Sequence, residues 1–492
     1  MTAQRPVVPG FFPDPSICRV DDAYYLACSS FEYAPGLPVF RSTDLRSWEQ
    51  IGNALDRPSQ LSVAGAVSSG GIFAPTLRHH AGRFWLITTN MSDPQGHLLV
   101  TADDPAGPWS EPVFFPEAPG IDPDLSWDED GSCYLTWAGF ADGQPLGVVQ
   151  AVVDPTTGAV LSEPRQLWQG TGGKFPEGPH IYRIGDLWYQ LIAEGGTERG
   201  HAVTIARGPS PSGPFEPCPW NPVLTTRGTD SPVQNAGHAD LVQRPDGSWA
   251  LVYHGVRVRG SSPQWHVLGR ETFAADVTWE DGWPRVTEPI EPPPVGLVSE
   301  SLSGPELPPS WVSPGRFPGE VLHPAEGGRR LTADDAAEPV FVGRRQQHLH
   351  AGVRADVRVE DGAGGLELRI DPRHALRLEA DGERVRAVVR IGSITSVLGE
   401  AATGPDVTLE LRAEPSTGHV WSTESGPDDL VAGVVTAGRL VELGRLDGRY
   451  LSTEVAGGMT GRVLGVWCSA GEVLLRSFEY TGADDPSELR RS

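Results

Sequence analysis

Three carboxylates in the first 180 residues share one local setting. Asp14 (in Phe12-Pro13-Asp14-Pro15), Asp122 (in Gly120-Ile121-Asp122-Pro123) and Glu177 (in Phe175-Pro176-Glu177-Gly178) each stand eleven or twelve residues ahead of an aromatic-bearing segment. A lone Asp beside proline is usually a turn former. Three carboxylates at one recurring position are different, because converging negative charges cost stability unless chemistry or a cation uses them. Glycoside hydrolysis is such a chemistry, with one carboxyl as proton donor and another as base. Calcium binding is the rival use, and it would draw on clustered Asp/Asn and backbone carbonyls of one loop. The sequence shows no such loop.

The elements that position these groups are legible as a repeat. Segments 22–26, 82–86, 131–135, 186–190 and 246–251 each run from a turn through aromatic residues into apolar alternation. Aligned on positions 25, 85, 134, 189 and 250, they recur at intervals of 60, 49, 55 and 61 residues. One such motif per interval suits the four-stranded blades of a five-bladed β-propeller. The strand upstream of each motif is then the innermost one and lines the central channel. Three blades thus send a carboxylate into one funnel, and the other two place Phe73 or Ala74 and His238 there. The pattern stops in the Pro-rich stretch 288–294, a linker signal. Alternation resumes at 365–370 and 407–412. The chain therefore reads as all-β, with a propeller catalytic domain over 1–295 and a β-sandwich accessory domain over 296–492.

Composition narrows the function classes. A net charge of −25 repels phosphates, which argues against nucleic acid or an anionic membrane as partner. No apolar run reaches the length of a membrane span. The opening residues lack the apolar stretch of a secretory signal, and the five cysteines are scattered without a CxxC pair. Both features predict reduced thiols in a cytoplasmic protein. Fifteen tryptophans offer flat faces for sugar rings, although core packing accounts for most tryptophans.

With these motifs in hand, the chain resembles glycoside hydrolase family 43, in its two-domain β-xylosidase and α-L-arabinofuranosidase branch. The resemblance rests on the ordered runs 9–17, 30–36, 69–75, 177–180, 193–197, 237–239, 268–272 and 279–284, and more faintly on 457–461. It implies an inverting, exo-acting hydrolase that releases β-D-xylose from short xylo-oligosaccharides, or α-L-arabinofuranose from related ends. A non-catalytic sugar-binding propeller is the reading from another class. By the resemblance, Asp14 is the general base that activates water and Glu177 the general acid. Asp122 raises the acid's pKa and orients it. Arg270 holds sugar hydroxyls or a carboxylate, and Phe31, Phe73 and Trp137 are pocket walls, with core packing the alternative for each ring. His238 reaches the site through water or a cation, or is structural.

The match is not complete. Phe73 stands where the branch has Trp, Asp124 replaces a small residue, and Ser126 replaces an aromatic one. Strand alternation puts Asp124 on the face of Asp122 and makes it a competitor for that role. The resemblance calls for no cofactor and no catalytic metal, leaves room for a structural cation near His238, and leaves association into a homo-oligomer open.

Overall fold

The computed structural model describes residues 4–139, 147–260, 262–302, 306–335, 338–416, 418 and 425–488. It is almost entirely β-structure and divides into two compact units. The first comprises Met1–Val8, Phe12–Val256 and Glu271–Pro293; the second comprises Pro9–Phe11, Arg257–Arg270 and Pro294–Ser492. The second unit therefore takes in two short stretches that lie well before residue 294 in the sequence.

The first unit is a five-bladed propeller. Its five inner strands are β1 (Ser16–Val20), β2 (Thr76–His80), β3 (Gly120–Trp127), β4 (Glu177–Ile184) and β5 (Val233–Gln243). Each pairs antiparallel with a strand bearing one aromatic motif: Ala23–Ala27, Arg83–Asn90, Cys133–Gly139, Leu187–Glu194 and Trp249–Arg257. Two or three further strands complete each sheet. Blades follow one another in chain order, so closure must join the fifth to the first. The segment before β1 does this by donating the Val7 and Val8 amides to the Thr272 carbonyl of the fifth blade.

Apolar side chains are buried between blades. Ile17, Leu26 and Phe40 pack with Val242, Val252 and Ala274 of the fifth blade. Ile87 and Leu99 pack with Leu125, Leu135 and Trp137 of the third. Each such side chain is worth roughly 1.5–3 kcal/mol when fully removed from water. These interblade seams hold the inner strands in place around the channel.

The second unit is a β-sandwich whose sheets share one long strand, β6 (Val463–Ala483). Its first part pairs with Gly362–Asp371 and Val340–Arg345, and its later part with His350–Arg358, Gly328–Thr332 and Val298–Ser301. Leu366, Leu368, Leu409 and Leu411, from the two alternating stretches, are buried in the core of the sandwich. All five cysteines are buried and none is in a disulfide, and burial pushes the Cys18 thiol up to about 12. No described helix is long and apolar enough to cross a membrane.

Candidate active site

The inner strands share a backbone device. Asp14 (φ 56°), Asp122 (φ 55°), Gly178 (φ 58°) and His238 (φ 50°) all adopt the left-handed conformation, at equivalent places in four blades. On β3 and β4 this coincides with a break in ladder register, between Ile121 and Asp124 and between Glu177 and His180. A bulge with a left-handed residue turns the local side chains off the strand's regular alternation. At a non-glycine residue the conformation costs about 1–3 kcal/mol, and such strain concentrates at functional sites.

Asp14 is 4 % exposed, and both of its oxygens have close polar neighbours. Ser29 Oγ donates to Oδ2 at 2.5 Å, and the Ser29 amide is itself bonded to the Pro13 carbonyl. His254 Nδ1 lies 3.0 Å from Oδ1, and His238 Nδ1 lies 3.6 Å from the same oxygen. The Asn235 carbonyl can only accept, so His201 Nδ1, 3.0 Å away, carries a hydrogen. His254 Nε2 lies 3.2 Å from that nitrogen and 3.3 Å from the Thr197 hydroxyl oxygen, and the Asp14 amide donates to His254 Nδ1 at 3.1 Å.

Glu177 opens β4 and is only partly buried, as a group that must reach a ligand has to be. The approach to it is anchored by Glu194, which accepts the Thr171 and Gly173 amides at 2.8 and 2.9 Å and the Thr204 hydroxyl at 2.6 Å. Asp122, 6 % exposed, accepts the Gly178 amide at 3.1 Å, one residue past Glu177. His238, 5 % exposed, has Nδ1 3.6 Å from Asp14 Oδ1 and its ring against Gly178. A Cβ on Gly178 would sit 2.8 Å from His238 Nε2. Gly178→Ala is therefore expected to combine left-handed strain of about 1–3 kcal/mol with a displaced imidazole. The expected result is a lower melting temperature together with a fall in kcat; an unchanged kcat would show that His238 does not set the site.

The remaining residues singled out from sequence fall as follows. Phe31 is buried, in left-handed backbone (φ 52°), and exchanges backbone hydrogen bonds with Ile72 at 2.8 and 3.0 Å. Its ring meets Phe73 edge-on, with centroids 5.7 Å apart, and Phe73 is the more exposed of the pair. Trp137 is 2 % exposed within the interblade core, and its Nε1 donates to the Pro119 carbonyl at 2.9 Å. Of the two readings for this ring, core packing is the one its surroundings favour. Arg270 is buried and belongs to the second compact unit. Asp124 is fully buried in an ion pair with Arg78 at 2.7 Å. The bulge thus separates it from Asp122, which turns instead to the Gly178 amide. Ser29, His201 and His254 were not anticipated, since nothing in their local sequence marks them.

Asp14, His238 and His254 each offer an atom to a cluster whose members all lie within 4.8 Å of one another. Two imidazole nitrogens and one carboxylate oxygen suit zinc better than calcium, which takes six to eight oxygens.

Residues 3–284 match the glycosyl hydrolases family 43 profile, and residues 305–473 match the β-xylosidase C-terminal concanavalin A-like domain. The chain belongs to glycosyl hydrolase family 43. It is 39 % identical to a non-reducing end α-L-arabinofuranosidase from Bacteroides ovatus, over 95 % of this chain and 91 % of that protein. A xylosidase/arabinosidase from Butyrivibrio fibrisolvens is 46 % identical over 61 % of this chain and 58 % of its own length. Among solved structures, a xylan β-1,4-xylosidase from Bacillus halodurans superposes with a TM-score of 0.86 at 28 % identity, covering 97 % of this chain and 99 % of that one. This family-43 chain is accordingly a glycoside hydrolase, and its propeller holds the three carboxylates described above.

Proposed function

We propose that the enzyme cleaves terminal β-D-xylosyl units from short oligosaccharides by single displacement, with Asp14 as general base and Glu177 as general acid. The observation that carries this reading is the placement of Asp14, Asp122 and Glu177 at the upper ends of three inner strands. Asp14 is buried with the Ser29 hydroxyl donating to it, and Glu177 is partly open. In the reaction, Asp14 takes a proton from water as the water oxygen bonds to the anomeric carbon. The glycosidic C–O bond breaks, and the Glu177 proton passes to the leaving oxygen. Asp14 ends protonated and Glu177 ionised, and the anomeric configuration is inverted. A water between the two groups calls for carboxylates roughly 6.5–9.5 Å apart. Asp122, beside the Gly178 amide, is positioned to act on Glu177 through charge and orientation.

A second reading, cleavage of α-L-arabinofuranosides by the same groups, is supported by the Bacteroides ovatus relative, a non-reducing end α-L-arabinofuranosidase that aligns along nearly the whole chain. Rates on 4-nitrophenyl β-D-xylopyranoside and α-L-arabinofuranoside decide between them. A higher kcat/KM on the xyloside is expected, and the reverse ratio would install the arabinofuranoside instead. Proton NMR during xyloside hydrolysis should show α-xylose first; β-xylose first would overturn the single displacement.

The Asp14–His238–His254 cluster is assigned as hydrogen-bonding support for the base, so dialysis against a chelator should leave kcat unchanged. Activity lost on dialysis and restored by zinc would make Asp14 a metal ligand.

A further inference from the structure

Below the carboxylates, the inner strands are joined by side chains. Neighbouring inner strands belong to different sheets, so the amides on their facing edges lack ladder partners and need others. At four seams, among the described residues, a side chain of one blade accepts an amide of the next. Asp240 Oδ2 accepts from Ile17 at 2.9 Å, and Ser16 Oγ accepts from Leu77 at 2.9 Å. Asp124 Oδ2 accepts from Ile181 at 2.9 Å, and the Tyr182 hydroxyl accepts from Leu241 at 3.0 Å.

Arg78 of β2 ties this ring together across the channel. Its Nη2 lies 2.7 Å from Asp124 Oδ1 and 3.0 Å from His180 Nδ1, and its Nη1 lies 2.9 Å from Asp240 Oδ2. Tyr182 completes the group by donating its hydroxyl to Asp240. Both carboxylates are fully buried. Burial opposes the charge on Arg78, yet Asp124 and Asp240 hold it firmly protonated. Burial likewise pushes Asp240 up, but Arg78, aided by His180, brings it down to about 2.

Strand β3 therefore offers two carboxylates to β4. Asp122 accepts the amide of Gly178, and Asp124 accepts the amide of Ile181, three residues further on. One such contact would let β4 pivot, whereas two fix both its height and its direction. We propose that Asp124, with Arg78 as its counter-charge, is a positioning residue for the general acid, setting the strand that carries Glu177 against the strand that carries Asp122. This inference rests on Glu177 being the acid.

Each oxygen of Asp124 serves a different donor, so Asp124→Asn keeps the volume but sets its amide group against the Arg78 guanidinium or the Ile181 amide. Arg78→Lys keeps the charge but loses the fork that reaches both carboxylates. The test compares both variants, Glu177→Ala and the unmodified enzyme on 2,4-dinitrophenyl and phenyl glycosides of the preferred sugar, with thermal unfolding in parallel. Phenol is a poor leaving group that needs the acid, and dinitrophenol is not. For Asp124→Asn, kcat on the phenyl glycoside should fall about 10- to 100-fold with KM nearly constant, while the dinitrophenyl rate falls much less. Arg78→Lys should move the same way by a smaller factor, and it carries the test alone if Asp124→Asn fails to fold. An equal fall on both glycosides, or none, would reduce Asp124 to a structural role and overturn the proposal. If Glu177→Ala itself shows no dependence on leaving group, the acid assignment falls and takes this inference with it. A dependence in Glu177→Ala but in neither other variant sinks the inference alone.

Discussion

Glu177→Ala should lower kcat on phenyl β-D-xylopyranoside by about 10²–10⁴-fold, the range spanned by one general acid. The same variant should retain most of its rate on the 2,4-dinitrophenyl glycoside, whose phenolate leaves without a proton. The pH profile supplies an independent check. An acid must be protonated to work, so the unmodified enzyme loses activity as pH rises through the pKa of that group. On the dinitrophenyl substrate this alkaline limb should vanish in Glu177→Ala. Glu177 sits at a strand end, partly exposed, with its approach held by Glu194 rather than by its own packing, so the truncation opens no core cavity. The melting temperature should consequently stay near that of the unmodified chain. A uniform loss on both substrates, with the alkaline limb intact, would move the acid role elsewhere.

What the sequence disclosed and what it withheld divide along physical lines. The five blades were legible because each aromatic motif marks a second strand, and a period of 49–61 residues leaves room for four strands per unit. That register alone located Asp14 just ahead of β1, Asp122 and Glu177 in the first residues of β3 and β4, and His238 midway along β5. The left-handed backbone at three of them was not legible, because Asp adopts it only sometimes and His238 gives no local sign. Contacts made by closure were also hidden. His254 lies 240 residues from Asp14 in the chain, and Arg78 meets partners 46 and 162 residues away. Alternation put Asp124 on the face of Asp122, but could not foresee the bulge that parts them. Trp137 shows the complementary limit: period-2 patterning separates two faces of a strand without saying which one meets a neighbouring blade.

Asp14→Asn should be the more damaging of the two substitutions on activated substrates. Asparagine nearly matches aspartate in size, and its amide can still pair with the Ser29 hydroxyl, now 2.5 Å from Oδ2. The fold should therefore survive, while the group that accepts the water proton is gone. Loss of the base slows attack whatever the leaving group, so phenyl and 2,4-dinitrophenyl glycosides should both fall, by about 10²–10⁴-fold. The sign in pH is opposite to that of the acid. A base works ionised, so the unmodified enzyme loses activity as pH falls through the pKa of that group, and this acidic limb should disappear from what activity remains. The neighbours sharpen the test. His254 Nδ1 and His238 Nδ1 lie 3.0 and 3.6 Å from Oδ1, and without the carboxylate they face a neutral amide. If His254 were itself the base, Asp14→Asn would shift the acidic limb without removing it, and His254→Ala would remove it. If the limb is lost in Asp14→Asn and kept in His254→Ala, Asp14 is the base and the imidazole only orients it.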